Sequence, residues 1–148
     1  MLIAVATIPA SFGAAPLSGQ ASLDDLRAVV VAVGAGLQAG DFASLDTLFW
    51  ESRAVHIIEG DGVDHGWAEY RDHHLAPELE QFENFVYRWY AIEPMVEGNA
   101  AWSAFRYELI ADTERGHVDI DGRGTIVLRR MAGHWKVVHL HTSGRPRG

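Results

Sequence analysis

Cysteine is absent from the 148 residues. That excludes disulfide bonds, thiolate zinc sites and a cysteine nucleophile. Positive charge is in deficit as well, with a formal net charge of −8. Such a surface repels phosphate backbones and anionic bilayers, so neither nucleic acid nor membrane is expected as a partner. No phosphate-binding glycine loop, dinucleotide fingerprint or Gly-x-Ser-x-Gly elbow occurs, which argues against nucleotide cofactors and covalent serine chemistry. The expectation is a protein that works with no cofactor. Long apolar runs are missing too: the uncharged stretch 1–21 is broken by Pro9 and Gly13 and is too short to span a membrane.

That stretch nevertheless differs from the rest. MLIAVATIPASFGAAPLSGQA is rich in small and apolar residues, with Ala14-Ala15 before Pro16. It reads as the apolar region and cleavage zone of a secretory leader that lacks its basic start, or as a disordered tail. A leader would make the protein periplasmic or secreted; a tail would leave it cytoplasmic. Residues 22–148 read as one domain, without repeats, linkers or low-complexity tracts.

Within the domain, Ser22 and Asp25 form a capping-box signal ahead of Leu23, Leu26, Val30, Val33 and Leu37, which share a helical face up to Gly40. Asp41 caps a second helix over 42–49. Strand one covers 54–59, with His56 and Ile58 on one face and Val55, Ile57 and Glu59 on the other, and ends in the turn Gly60-Asp61-Gly62. Helix three runs from Trp67 to Leu75, with Trp67, Tyr70 and His74 on one side, and a kink is expected at Ala76-Pro77. Neighbours on a helix lie about 100° apart, so only one of His73 and His74 points inward, and the aromatic face selects His74. Alternating strands follow from Phe85, with a turn at Gly98-Asn99. Another short strand over 117–120 turns at Asp121-Gly122 into a closing hairpin, Thr125–Arg130 and Trp135–His141, around Gly133. Period-two alternation puts Trp135, Val137, His139 and His141 on one face of the last strand.

The closing run Trp-Lys-Val-Val-His-x-His-x-Ser, at 135–143, resembles the C-terminal signature of SnoaL-like domains and of the calcium/calmodulin-dependent kinase II association domain. Both belong to the nuclear transport factor 2-like superfamily, and the order of elements over about 22–143 agrees. The resemblance implies an α+β cone: N-terminal helices packed on a strongly curved mixed β-sheet with a central pocket. It further implies that strand one, helix three and the last strand surround that pocket. The candidate catalytic residues are then Glu59, Tyr70, His74, His139 and His141, and the candidate substrate contacts are His56, Trp67, His73, Trp102 and Tyr107. Imidazoles beside a carboxylate suit proton transfer near neutral pH. The expected activity is a cofactor-free lyase or isomerase on a small, hydrophobic, oxygenated molecule of aromatic or polyketide-like type. A binding or assembly module is the alternative reading. A metal held by His139 and His141, with Glu59, His56 or His74 as third ligand, is another. Large side chains on both faces of strands 85–110 imply a homodimer through the sheet's outer face.

Overall fold

A computed structural model describes residues 18–147. The leader-or-tail reading falls, up to residue 17, outside the described residues. Helix α1 (Ser18–Ala39) starts four residues ahead of the expected cap, so Ser22 lies inside it. Its apolar spacing is as expected: Leu26, Val30, Val33 and Leu37 are buried. The helix ends in a Schellman motif, in which the Asp41 N–H donates to the Gly36 carbonyl (2.9 Å) and the Gly40 N–H to that of Leu37 (3.3 Å). Asp41 then accepts from the Ser44 N–H at 3.1 Å and caps α2 (Phe42–Leu48). Among the described residues no helix is long and apolar enough to cross a membrane.

The sheet has six strands in the order β2-β1-β6-β5-β4-β3. β1 (His56–Glu59) and β2 (Gly62–His65) form a small hairpin. β3 (Glu83–Glu97), β4 (Ala100–Thr113), β5 (Gly116–Met131) and β6 (His134–Pro146) form a long meander. β1 pairs with β6 in parallel and the other neighbours are antiparallel. His65 therefore belongs to a strand that the sequence pattern concealed, because four residues between two turns are too few for periodicity to show.

β5 also runs straight through Asp121-Gly122, where a turn was expected. These glycines serve close packing instead. Tyr107 and Phe105 of β4 lie across β5, and a Cβ at Gly122 or Gly124 would sit 2.1 Å from Tyr107 Cζ or Phe105 Cζ. Phe105 in turn stacks on Trp89 of β3, with ring centroids 3.8 Å apart. This aromatic layer and α1 form the core, with the amide of Gln38 bridging to β3: its N–H donates to the Phe85 carbonyl (3.1 Å) and its oxygen accepts from the Tyr87 N–H. β3 bends where its register shifts between Tyr90 and Glu93, with Ala91 in the left-handed region (φ 50°).

The hairpin of β5 and β6 turns at Ala132-Gly133, both at positive φ, as a two-residue reversal requires. Its register holds one correction. Val127 faces His139 while Leu128 faces Val137, so Val138 is an extra residue in β6. The bulge inverts the alternation beyond it. Trp135 and Val137 point into the core, but so do Leu140 and Thr142, leaving His139 and His141 on the outer face.

The third helical stretch is continuous despite Pro77. α3 (Trp67–Tyr70) passes through a π-helical turn (Arg71–Leu75) into α4 (Ala76–Leu79), and Ala76 is fully helical at φ −61°. The Ala76 N–H reaches back five residues to the Arg71 carbonyl. The wider turn accommodates the proline, where a kink or restart was expected, and α4 restarts at Ala76.

The glycine–aromatic packing yields a stability test. Gly124→Ala should destabilise the fold by about 1–3 kcal/mol in urea unfolding, the usual cost of overpacking. Adding Phe105→Leu should recover part of that loss, because the two changes share one contact. Simple additivity of the two variants would show that the contact is not what excludes the methyl group.

Candidate acid–base site

β1 delivers Glu59 to the inner face. Its cross-strand partner is Thr142 and the preceding inner residue is Ile57, opposite Leu140. The β1–β2 hairpin then brings Asp64 to the same face, opposite Ile57, while its neighbours Val63 and His65 are exposed. Tyr70, at the end of α3, is buried, and its hydroxyl donates to Glu59 Oε2 at 2.9 Å. The π-turn presents His74 beside it, with ring centroids 5.1 Å apart. His73, about 100° round the helix, is exposed.

His74 is the centre of the cluster. Its Nδ1 lies 3.1 Å from Asp64 Oδ2, and its Nε2 lies 3.3 Å from Glu78 Oε1 and 3.9 Å from Glu59 Oε2. Burial pulls the His74 pKa down. The Asp64 hydrogen bond and the charges of Glu78, Glu59 and Asp64 outweigh it, so the pKa lies above its ordinary value of 6.5. Burial, and after it the charge of Glu59, pushes Glu78 up as well. The hydroxyls of Tyr70, Tyr87 and Tyr107 are held above their ordinary value, first by burial and then by Glu59. All three therefore stay protonated near neutral pH, as neutral hydrogen-bond donors.

The donor atoms of Glu59, His74 and Glu78 lie within 4.8 Å of one another, close enough to share a proton or to hold a divalent cation. In its neutral form, with the Nδ1 proton donated to Asp64, the His74 ring keeps its lone pair on Nε2. That is the arrangement of a histidine base fixed by a carboxylate.

Of the residues singled out in the sequence, Glu59, Tyr70 and His74 converge, with Tyr107 nearby on the inner face. Others do not join them. The β6 bulge sends His139 and His141 outward, and His56 shares their side as the cross-strand partner of His139. His73 faces solvent. Trp102 lies on the outer face with 38% exposure, because the inner face of β4 belongs to Ala101, Ser103, Phe105 and Tyr107. Trp67 is committed to the core, stacked on Phe49 with its indole N–H donated to Asp46 at 2.6 Å, and it borders a separate crevice of about 580 Å³. Two members of the cluster, Asp64 and Glu78, are additions. Glu78 was legible as the residue one turn beyond His74; Asp64 required recognising β2.

The cluster predicts a pH dependence. The His74 titration followed by nuclear magnetic resonance should have a midpoint above 6.5, and Asp64→Asn should lower it. Since the folded pKa is the higher one, the interaction stabilises the fold below the ordinary histidine pKa. That stabilisation disappears as pH rises through the folded value. An unchanged midpoint in Asp64→Asn would remove Asp64 from this account.

The family profile described as a SnoaL-like domain matches residues 26–147. No curated protein matches. Among solved structures, the chain is similar to a nuclear transport factor 2-like superfamily protein of Salmonella enterica serovar Typhimurium, at 20% identity and TM-score 0.77, covering 86% of this chain and 94% of that one. It is similar to a candidate ketosteroid isomerase of Shewanella frigidimarina, at 26% identity and TM-score 0.68, covering 78% and 92%. It also resembles the hexachlorocyclohexane dehydrochlorinase LinA-type3 of Novosphingobium barchaimii in fold, at 15% identity and TM-score 0.73, covering 89% and 94%. With helices packed on one face of a curved mixed sheet and a family match over most of its length, the chain belongs to the SnoaL-like domain family, within the nuclear transport factor 2-like superfamily.

Proposed function

We propose that the chain is a cofactor-independent lyase or isomerase acting on a small, hydrophobic, oxygenated molecule of aromatic or polyketide-like type. One observation carries the reading: His74 is fixed through Nδ1 by Asp64, while Nε2 faces Glu59 and Glu78 beside a patch of buried tyrosines. Nε2 takes a proton from the substrate. The Tyr70 hydroxyl, held by Glu59 at rest, turns to the oxygen on which negative charge develops. Glu78, which keeps its proton to higher pH than an ordinary carboxyl group, returns a proton to the product or to the leaving group. The similar structures include a candidate ketosteroid isomerase and a dehydrochlorinase, and those names fall in the isomerase and lyase classes, in line with this reading.

The test is a turnover screen over steroid enones, β-hydroxy aromatic ketones and halogenated cyclohexanes. On any substrate found, His74→Ala should reduce the rate by ~100- to 10,000-fold, the range for loss of a general base. Asp64→Asn should move the rising limb of the pH–rate profile to lower pH. Full turnover by both variants would remove His74 from the chemistry.

We also propose that the chain forms a homodimer through the outer face of β3 and β4. Met95 and Trp102 are cross-strand partners there, with 55% and 38% exposure. Light scattering should give twice the 16.3 kDa chain mass at micromolar concentration, and Trp102→Lys should shift the protein towards the monomer. A monomeric parent protein would sink this part of the reading.

A further inference from the structure

Four imidazoles occupy one end of the outer face. His56 in β1 is the cross-strand partner of His65 in β2 on one side and of His139 in β6 on the other. His141 follows two residues after His139 and so lies on the same face, beyond the bulge that turned both outward. His56, His65 and His141 are exposed and His139 is half-buried. The rest of the His139 row is apolar: Val127, Trp102 and Met95. The His141 row continues into Ile58 on one side and Thr125 on the other. No carboxylate among the described residues pairs with any of the four rings.

We infer that His56, His139 and His141 form a binding site for a divalent transition-metal ion of the zinc or copper class, with His65 supporting the His56 ring. Two histidines at alternate positions of one strand and a third on the adjacent strand give three nitrogen donors on a rigid platform. Adjacent strands lie ~4.8 Å apart and alternate residues of one strand ~6.5–7 Å apart, spans that imidazole side chains bridge to one ion at about 2.0–2.1 Å. An all-nitrogen set of this kind suits zinc and copper over magnesium and calcium, and it leaves a fourth position open. The His65 ring stands edge-on to His56, with centroids 5.0 Å apart, in the place of an outer-sphere support.

In the Glu59–His74–Glu78 set the donor atoms already lie within 4.8 Å of one another, and its histidine is engaged with Asp64. In the outer row the donor atoms stand further apart. Closure on an ion needs rotation of side chains on a backbone register that is already in place.

Zinc titration calorimetry and cobalt(II) absorption on the untagged full chain test the inference. The expected result is one zinc ion per chain, with a tetrahedral cobalt spectrum. His56→Ala and His139→Gln should each weaken zinc binding by more than the ~10- to 100-fold that loss of an outer-sphere partner costs, and His65→Ala should fall within that range. Since His56 is exposed, its alanine variant should keep the fold. Zinc should raise the unfolding temperature of the parent protein and not that of His56→Ala. The inference is overturned if the parent protein binds no zinc, if a His56→Ala/His139→Gln pair binds it normally, or if Glu59→Gln/Glu78→Gln abolishes binding instead.

Discussion

A single extra residue in β6 decides which side of the sheet the imidazoles of the last strand can reach. Val138 opposes no residue of its own on β5, and the alternation of inward and outward side chains inverts across it. Without the bulge, Trp135, Val137, His139 and His141 would share the core face. With it, Leu140 and Thr142 enter the core opposite Ile57 and Glu59, and the imidazoles leave. The cost of burying paired histidines without carboxylate partners is thereby avoided. On the inner face, Thr142 then lies beside Glu59 of β1.

Around Glu59 the structure gathers more acid than base. Three carboxylates surround one imidazole, at distances from 3.1 to 3.9 Å. Burial, and after it the charge of Glu59, raises the proton affinity of Glu78, while at His74 the Asp64 hydrogen bond and the surrounding carboxylates outweigh the opposing effect of burial. Tyr70, bonded to Glu59, stands beside the cluster, and the hydroxyls of Tyr87 and Tyr107 are likewise held protonated, first by burial and then by Glu59. The π-turn belongs to the same design, since it carries the helix through Pro77 while keeping Tyr70 and His74 on one side.

The sequence made the architecture legible where periodicity runs long. The buried face of α1, the second helix, β3, β4 and the turn of the closing hairpin stand where spacing and turn residues put them, and the choice of His74 over His73 followed from one helical face. Legibility failed where a local feature overrode period. The hairpin strand β2 was too short to show, which hid Asp64. Gly122 read as a turn because packing against Tyr107 is invisible in one dimension. The bulge at Val138 left no mark on an otherwise regular run, so His139 and His141 were placed on the wrong face. Trp102 and Trp67 were read as walls on aromatic character alone, which does not distinguish an outer face or a core from a pocket.

The central claim is that Asp64 fixes His74 as the tautomer with Nδ1 protonated and Nε2 bare. The most direct measurement is long-range nitrogen–hydrogen correlation spectroscopy of the ¹⁵N-labelled protein, at a pH above the His74 titration. The account predicts a protonated Nδ1 and an unprotonated Nε2 for His74, with the pattern lost in Asp64→Asn. A His74 ring protonated on Nε2 instead, in the parent protein, would contradict it.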